Sequence, residues 1–329
     1  EGLFAIMKKL VSEGKSIIFI SHKMREVLHI SDRITILRAG EVVTTVDAHG
    51  VTGQELANMM IGRELQQSQY EKKDVEAGAV ISLQNVDYHK ESKHAGLNDV
   101  SLSIGRGEIV GIAGVDGNGQ TQLAQLLTGV LSPESGEFQR KGQKIAVFSP
   151  RASIEDDVAL IPEDRKNDGL ILSWSIGENI TMMCLKSISS SGVLSGKKEK
   201  DVIADAVERM SIKVHSADLP VGSLSGGNQQ KVVIAKALST KAKIVLLSDP
   251  TRGIDIGTKT EIYHLMAQLT QEGYSIVFYS TEMSELLLLC NLVLVFYEGR
   301  IAAELEGDQV TEKNIITQSI GVGGGTNEK

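Results

Sequence analysis

The chain has 329 residues, 41% of them hydrophobic and 23% charged, which is ordinary for a globular protein of about two domains. Its formal net charge of −8 disfavours a general nucleic-acid-binding surface, which normally carries an excess of lysine and arginine. Cys184 and Cys290 have neither metal-ligand spacing nor a disulfide framework, and no apolar run reaches the roughly 20 residues that span a bilayer. These features favour a reducing cytoplasm, exclude nucleic acid as the expected partner, and leave any membrane role to a partner protein.

The first 62 residues are repeated near the end of the chain. GKSIIFISHKMREVL, beginning at Gly14, returns as GYSIVFYSTEMSELL, beginning at Gly273, an offset of 259 positions. Without a gap, 16 of the 62 residues are identical to their counterparts at 260–321. A constant offset indicates two related copies of one domain. The second copy has a long segment, residues 81–259, for which the first has no counterpart, so we expect the chain to begin late in copy one.

The predicted organisation has four parts: a C-terminal remnant of a first domain at residues 1–62, a polar linker at 63–80, a second domain at 81–322 and a flexible tail at 323–329. In the second domain, β-branched runs alternate with helical patterns, which predicts an α/β fold with a largely parallel sheet. The predicted strands include 108–113, 158–161, 244–247 and 275–279, and the predicted helices include 121–128, 200–210, 228–239 and 258–271. Residues 1–62 lack the rest of their sheet and are expected to expose an apolar face.

The loop GVDGNGQT, residues 114–121, follows the apolar strand EIVGIA and precedes the helical pattern QLAQLL. This is the spacing and setting of a phosphate-binding loop, in which glycines let backbone N–H groups surround phosphate oxygens. Gln120, however, stands where the lysine of such loops reaches the β- and γ-phosphates, so a simple strand-to-helix turn is the alternative interpretation. The candidate nucleotide-binding residues here are Gly114, Asp116, Gly117, Asn118, Gly119, Gln120 and Thr121, with Thr121 also the candidate Mg²⁺ ligand.

A second motif, LSGGNQQK, occupies residues 224–231. It resembles the LSGGQ signature of ABC ATPases, in the GNQQK form typical of importers for simple sugars and nucleosides. The backbone N–H groups at such a helix start suit the γ-phosphate of a nucleotide that the opposite domain holds. A plain helix cap explains the serine and glycines but not the octapeptide at this distance behind a phosphate loop. The candidate signature residues are Leu224, Ser225, Gly226, Gly227, Asn228 and Gln229.

Two further runs follow the order of motifs in that family. IPEDRK, residues 161–166, resembles the Q-loop region, which in the family couples to the membrane subunit, with Glu163 at the glutamine position. SDPTRGID, residues 248–255, resembles the Walker B and D-loop run. In that run Ser248 replaces the Mg²⁺-orienting aspartate, Asp249 holds the position of the catalytic glutamate, and Asp255 belongs to the D-loop.

The internal repeat identifies the position of the switch histidine. Its copy-one residue is His22, and the copy-two counterpart is Thr281. Because ABC domains work as head-to-tail pairs, the resemblance implies that His22 and the intact signature serve the first copy's site. Without the lysine, the aspartate and the histidine, the second copy's own site should bind nucleotide weakly and hydrolyse it poorly or not at all.

The resemblance implies a P-loop ABC ATPase fold with a mostly parallel sheet core, an antiparallel β subdomain and a helical signature subdomain. It also implies ATP and Mg²⁺ as cofactors, and as partners the membrane permease, the first nucleotide-binding domain and, indirectly, a periplasmic or lipid-anchored solute-binding protein. The expected location is the cytoplasmic face of the inner membrane. The expected role is energy coupling for the import of ribose, galactose, another simple sugar or a nucleoside. A tandem ABC protein acting on ribosomes or DNA and a non-hydrolysing interaction module are the alternatives.

Overall fold

The computed structural model describes residues 2–21, 24–38, 40–61, 76–89 and 96–321. The chain divides into two compact units, Glu1–Gln69 with Ile254–Glu261, and Tyr70–Gly253 with Ile262–Lys329. Of the predicted linker, residues 63–75 lie outside the described part of the chain. Residues 76–80 belong to a strand rather than to a linker, because their backbone pairs with residues 105 and 106. The predicted tail at 323–329 also lies outside the described residues.

Residues 2–61 form three helices and one antiparallel hairpin. In chain order these elements are α1 (Gly2–Ser12), α2 (Met24–Ile30), β1 (Arg33–Arg38), β2 (Glu41–Asp47) and α3 (Gly53–Ile61). The ring of Phe4 on α1 contacts the rings of Phe19 and His29. These contacts give the segment a small apolar centre of its own.

The internal repeat is confirmed residue by residue in the backbone. Residues 283–289 form a helix and 292–297 and 300–306 form a hairpin, each 259 positions after α2, β1 and β2. Both hairpins shift register at the corresponding point, between Ile36 and Leu37 and between Val295 and Phe296. Two different sequences therefore fold into the same local structure at a constant offset.

Residues 15–21 are the exception to this correspondence. Their counterparts, residues 274–280, contain a central strand at 275–279, whereas 15–21 have no regular secondary structure. The side chains of Ile18 and Ile20 are 93% and 92% exposed. Apolar residues of a parallel strand are normally covered on both faces. The described residues contain no strand paired with this segment, so the expected exposed apolar face is confirmed here.

The larger part of the chain contains two main sheets with helices. Its elements are β3 (Glu76–Tyr88), β4 (Leu97–Arg106), β5 (Ile109–Ala113), α4 (Gln120–Leu127), β6 (Ser135–Arg140), β7 (Gln143–Lys144), α5 (Pro150–Glu155), β8 (Val158–Ile161), α6 (Ile176–Thr181), α7 (Leu185–Ile188), β9 (Ser189–Ser190), β10 (Val193–Leu194), α8 (Gly196–Arg209), α9 (Gly226–Ser239), β11 (Ile244–Ser248), α10 (Ile256–Gln271), β12 (Ser275–Tyr279), α11 (Met283–Leu289), β13 (Leu292–Tyr297), β14 (Arg300–Glu306) and α12 (Glu312–Ser319).

A six-stranded sheet forms the centre of this part, in the order β14-β13-β5-β12-β11-β8. Its pairs are parallel except for the hairpin between β13 and β14. A second, antiparallel sheet has the order β4-β3-β6-β7. Buried side chains of α4 and of strands from both sheets form one hydrophobic cluster, which includes Leu123, Leu126 and Phe138. The predicted parallel core and antiparallel subdomain are confirmed.

A helical segment links β8 to β11 and carries the signature motif. α6 packs against both α8 and α9. Serine caps explain why two of these helices begin earlier than predicted: α8 begins at Gly196 after Ser195, and α9 begins at Gly226 after Ser225. None of the described helices is both long and apolar enough to cross a membrane.

Candidate functional site

The phosphate-loop sequence lies where the parallel sheet meets its first helix. β5 ends at Ala113 and α4 begins at Gln120, which confirms the predicted strand–loop–helix order. Gly114 and Gly119 have φ angles of 139° and 106°, which L-residues rarely adopt. A Cβ atom on Gly114 would come within 2.5 Å of the backbone oxygen of Phe296. The glycines are therefore required by the backbone path, whether or not the loop holds a ligand.

The side chain of Gln120 folds back into this loop. Its Nε2 donates a hydrogen bond to the backbone oxygen of Val115, and its Oε1 accepts one from the backbone N–H of Asn118, both at 3.0 Å. The side chain is buried. The backbone N–H of Asn118, which in a phosphate-binding loop would face a phosphate oxygen, is thus bonded to the uncharged side-chain amide of Gln120.

The outer side of the loop is fixed by the turn between β13 and β14. The backbone N–H of Glu298 donates to Oδ1 of Asn118 at 2.8 Å, and the N–H of Gly299 donates to the backbone oxygen of Asn118 at 3.1 Å. The side-chain amide of Asn118 also donates to Val115 at 2.8 Å. The loop therefore holds its shape through contacts within the chain.

A cavity of about 410 Å³ lies beside the loop, between α4 and the ends of the parallel strands. Asp116, Glu163 and Ser248 are among the residues that line it, together with Tyr279. The Tyr279 hydroxyl donates a hydrogen bond to Asp116. Burial and the Asp116 carboxylate raise the pKa of Tyr279, so its hydroxyl stays protonated. The polar part of this cavity carries carboxylates and no lysine.

Asp249 and Thr281 lie together at the ends of neighbouring strands β11 and β12. The Thr281 hydroxyl donates to Oδ2 of Asp249 at 2.9 Å, and the Asp249 backbone N–H donates to the backbone oxygen of Tyr279 at 2.9 Å. Burial raises the pKa of Asp249, which disfavours its charged form. Asp249, the predicted counterpart of the catalytic glutamate, and Thr281, the counterpart of His22 in the repeat, thus bond to each other.

Glu285, on α11, is a buried carboxylate that sequence reasoning missed. It accepts hydrogen bonds from the hydroxyls of Thr251 at 2.7 Å, Tyr263 at 2.6 Å and Ser280 at 2.7 Å. Its side chain joins the segment after β11, helix α10 and the residue before Thr281. Hydroxyl donors compensate part of the cost of burying this carboxylate.

The repeat contained the signal that would have identified Glu285. Its copy-one counterpart is Glu26, and the counterpart of Ser280 is Ser21. The Ser21 hydroxyl donates to Glu26 at 3.2 Å, so the serine–glutamate pair is present in both copies. In copy one this serine directly precedes His22, which itself lies outside the described residues.

The residues of PEDRKNDG, 162–169, form a tight turn after β8, here called the PEDR turn. Asp164 caps a short π-helix, Arg165–Gly169, by accepting hydrogen bonds from the N–H groups of Lys166 and Asn167. The backbone N–H groups of Asn167 and Lys166 and the Asn167 side chain, together with the nearby Arg165 charge, lower the pKa of Asp164. Glu163 forms an ion pair with Arg252, which lies between β11 and α10.

The signature residues surround the start of α9. Ser225 is the N-cap, and its hydroxyl accepts a hydrogen bond from the backbone N–H of Asn228 at 3.4 Å. Ser225 is exposed, and Gln229 is buried with its amide donating to the backbone oxygens of Val221 and Leu224. The buried Gln229 anchors the start of α9. The N-terminus of this helix, which carries a partial positive charge, is exposed at Ser225.

Comparison with known proteins agrees with this arrangement. The family described as "ABC transporter" matches residues 97–252, a range that contains the phosphate loop, the PEDR turn, the signature and Asp249. Residues 97–252, called the ABC domain here, are similar to the ABC transporter family.

The relatives of this ABC domain include proteins named for sugar import. A ribose import ATP-binding protein of Mesorhizobium japonicum is 40% identical over 324 residues, 98% of this chain and 62% of the relative. One of Oceanobacillus iheyensis is 38% identical over 98% of this chain and 64% of its own length. A xylose import ATP-binding protein of Photobacterium profundum is 38% identical over 95% of this chain and 62% of the relative. The chain thus spans less than two thirds of these relatives.

Solved structures support the fold of the ABC domain. The cbiO1 protein of Clostridium perfringens, described as part of an ABC transporter complex, has a TM-score of 0.61 at 24% identity and covers 74% of this chain and 95% of its own. An ATP-binding cassette of an ABC transporter in its ADP conformation has a TM-score of 0.62 at 20% identity, with 74% and 100% covered. At these identities the likeness shows the fold alone.

Mg²⁺ does not fit the ABC domain's own site well. Hard cations prefer carboxylate and hydroxyl oxygens, and Thr121 offers an exposed hydroxyl. Ser248, however, has no carboxylate, and the carboxylates of Asp116 and Asp249 each accept a hydrogen bond, from the hydroxyls of Tyr279 and Thr281. The described part of the chain contains no group of three His, Cys, Asp or Glu side chains that could hold a metal ion.

Asp255, the predicted D-loop residue, lies just after the matched range. It accepts hydrogen bonds from the N–H and the hydroxyl of Thr258, at 3.0 and 2.8 Å, and so begins α10. Tyr88, on β3, is partly buried against the hydrophobic cluster, which is the contact of an ordinary strand aromatic.

Proposed function

We propose that this chain is part of the ATP-binding, energy-coupling subunit of an ABC importer for simple sugars. The names of the relatives support a pentose such as ribose or xylose as the cargo class. In this proposal the signature at 224–229 completes an ATP site whose Walker motifs belong to a first nucleotide-binding domain, to which His22 also contributes. ATP binding closes the pair of domains and hydrolysis reopens it, which drives a membrane permease.

One observation carries the proposal: the ABC domain keeps an exposed signature while its own phosphate site is closed. Ser225 is exposed at the start of α9, whereas the side chain of Gln120 occupies the phosphate loop. If only one site of each pair has to hydrolyse ATP, the Walker residues of the other site are free to change. The signature is kept, because it belongs to the competent site. We therefore assign Gln120, Ser248 and Thr281 to a non-hydrolysing site and Ser225–Gly227 to contact with the γ-phosphate in the other.

The partners follow from this role. They are the permease in the membrane, the first nucleotide-binding domain and, indirectly, a solute-binding protein. The place of action is then the cytoplasmic face of the inner membrane. A tandem ABC protein working on ribosomes or DNA is disfavoured by the net charge of −8.

Nucleotide binding tests the assignment of the closed site. We expect the chain to bind a fluorescent ATP analogue weakly with Mg²⁺, and Gln120→Lys to bind it about tenfold more tightly, because the lysine frees the Asn118 N–H and adds a charge. Gln143→Lys, which adds the same charge at an exposed position on β7, is the control and should change nothing. Tight binding by the unaltered chain would contradict a closed site. No gain from Gln120→Lys would mean that the loop is purely a structural turn.

A further inference from the structure

Arg165 lies at the meeting point of three motifs that are far apart in sequence. It belongs to the PEDR turn. Its Nη1 donates to the backbone oxygen of Arg252 at 2.9 Å, and its Nη2 donates to that of Gly253 at 3.4 Å. Its guanidinium also lies against the signature, because a Cβ atom on Gly226 would come within 2.8 Å of Nη2. One planar cation therefore touches the run before the D-loop and the start of α9.

The contact between the PEDR turn and residues 252–253 is reciprocal. Glu163 of the turn pairs with the side chain of Arg252, while Arg165 bonds to the backbone oxygens of Arg252 and Gly253. An exposed ion pair alone contributes little to stability. The contact of Arg165 with the two backbone oxygens is directional, because its guanidinium presents two N–H groups in a fixed fork that a lysine cannot reproduce.

The other end of the PEDR turn is attached to the body of α9. The Lys236 ammonium donates to the backbone oxygen of Gly169, and a Cβ atom on Gly169 would come within 3.1 Å of the Val233 side chain. Lys236 is buried, so this bond holds a cation that has left water. The turn is therefore held against α9 at two places, at Gly226 through Arg165 and at Val233 through Gly169, about two helical turns apart along that helix.

We propose that Arg165 is a positioning residue that holds the signature and the segment before the D-loop in fixed relation to the PEDR turn. This rests on the proposed function, in which the signature completes an ATP site in trans and the turn lies on the side that responds to the permease. A displacement of the turn then moves Gly226 and Gly253 together. Arg165 acts through these groups and does not contact the nucleotide.

The first test is a double-mutant cycle on ATP hydrolysis by the tandem subunit assembled with its permease. We expect Arg165→Ala to lower kcat about tenfold or more with KM for ATP changed less than about threefold, and Arg165→Lys to restore part of the loss. In Gly226→Ala the new methyl group would displace the guanidinium. Gly226 also belongs to the signature, so Gly226→Ala lowers kcat by itself. Arg165→Ala should nevertheless cost less in the Gly226→Ala background than in the unaltered chain, because the guanidinium is already displaced.

Two control variants separate the inference from the proposed function. Arg151→Ala removes an arginine that is 83% exposed and should leave kcat unchanged. Ser225→Glu places a negative charge at the signature and should abolish hydrolysis if the signature completes an ATP site. Full activity of Ser225→Glu would overturn the proposed function. Loss in Ser225→Glu with normal kcat in Arg165→Ala, or additive effects of Arg165→Ala and Gly226→Ala, would overturn the role of Arg165 alone.

The second test uses this chain by itself. In Arg165→Ala we expect faster amide hydrogen exchange in residues 224–231 and 250–254, with no change at β12 and β13, because only the local attachment is lost. Arg151→Ala should exchange like the unaltered chain. Unchanged exchange at both segments would overturn the proposal, and faster exchange throughout the ABC domain would show that Arg165 supports the whole fold rather than these motifs.

Discussion

Three neutral side chains stand where the resemblance to ABC ATPases predicts a lysine, an aspartate and a histidine. Gln120, Ser248 and Thr281 each offer hydrogen bonds, and two of them use those bonds within the chain: Gln120 to the loop and Thr281 to Asp249. Stabilising the charge that develops on a γ-phosphate requires cations and preorganised donors. The hydrogen bonds of Gln120 and Thr281 thus join groups of the chain to each other and hold the shape of the site.

The buried Asp249 makes the pH dependence of stability testable. Burial raises its pKa, so the folded chain binds this proton more tightly than the unfolded chain, and stability falls as pH rises through the folded-state pKa. We expect Asp249→Asn to raise the free energy of unfolding at pH 7 by about 1 kcal/mol, the usual size for one substitution. The advantage should shrink as pH falls toward 4. Urea titrations at several pH values measure it.

Asp87 provides the control of opposite sign. Hydrogen bonds from the Ser135 hydroxyl and the Asp99 N–H lower its pKa, so its contribution is present at neutral pH and is lost as pH falls. Asp87→Asn should therefore be less stable than the unaltered chain at pH 7 and equal to it in acid. A stability difference for Asp249→Asn that did not change with pH would rule out burial of its charge as the cause.

At the scale of elements, short helices depend on their caps. α6 has only six residues, and Ser175 and Glu178 form a capping box at its start, with bonds of 3.1 and 2.7 Å. Helices of this length are not stable without such bonds and tertiary packing. α6 packs on α9, so its stability also supports the signature.

Ser175→Ala should lower the free energy of unfolding by about 1 kcal/mol, because the backbone N–H of Glu178 loses its hydrogen-bond acceptor. Ser173→Ala, at an exposed position two residues earlier, is the matched control and should stay within about 0.3 kcal/mol. Urea denaturation followed by circular dichroism measures both. Equal effects of the two substitutions would mean that the capping box contributes nothing to α6.

At the scale of the whole molecule, the two copies of the repeat differ in whether neighbouring strands pair with the SIIF or SIVF segment. β12 lies between β5 and β11, whereas its copy-one counterpart, residues 15–21, has no paired strand among the described residues. Backbone without such pairing opens at low cost in free energy. The same sequence pattern is therefore a buried strand in one copy and an exposed segment in the other.

Limited proteolysis should detect this difference. Thermolysin cleaves before large apolar residues, and we expect its first cuts before Ile17, Ile18 or Ile20, well before any cut in β12. The ratio of the two cleavage rates should exceed about 100, since β12 opens only with its sheet. Mass spectrometry of a time course identifies the sites. First cuts within 275–279 would show that the copy-two strand is the less protected one.

The sequence alone established much of the ABC domain. Hydrophobic alternation and glycine spacing predicted the parallel core, the strand–loop–helix around Gln120 and the helix that follows Ser225. These features are local, since backbone sterics and strand or helix period decide them within about ten residues. The constant offset of 259 also predicted two related copies, and both copies form the same helix and hairpin because similar local sequences have similar local energetics.

Only the tertiary structure decided what the site's side chains do. The Asn118 amide bonded by Gln120, the Glu285 carboxylate among three hydroxyls and the Arg165 contact with Arg252 depend on which loops the sheet brings together. Arg165 and Arg252 are 87 positions apart, and no periodicity in the sequence relates them. The reason is physical: a hydrogen bond forms within about 3 Å, and distances between remote segments are set by packing of the whole fold.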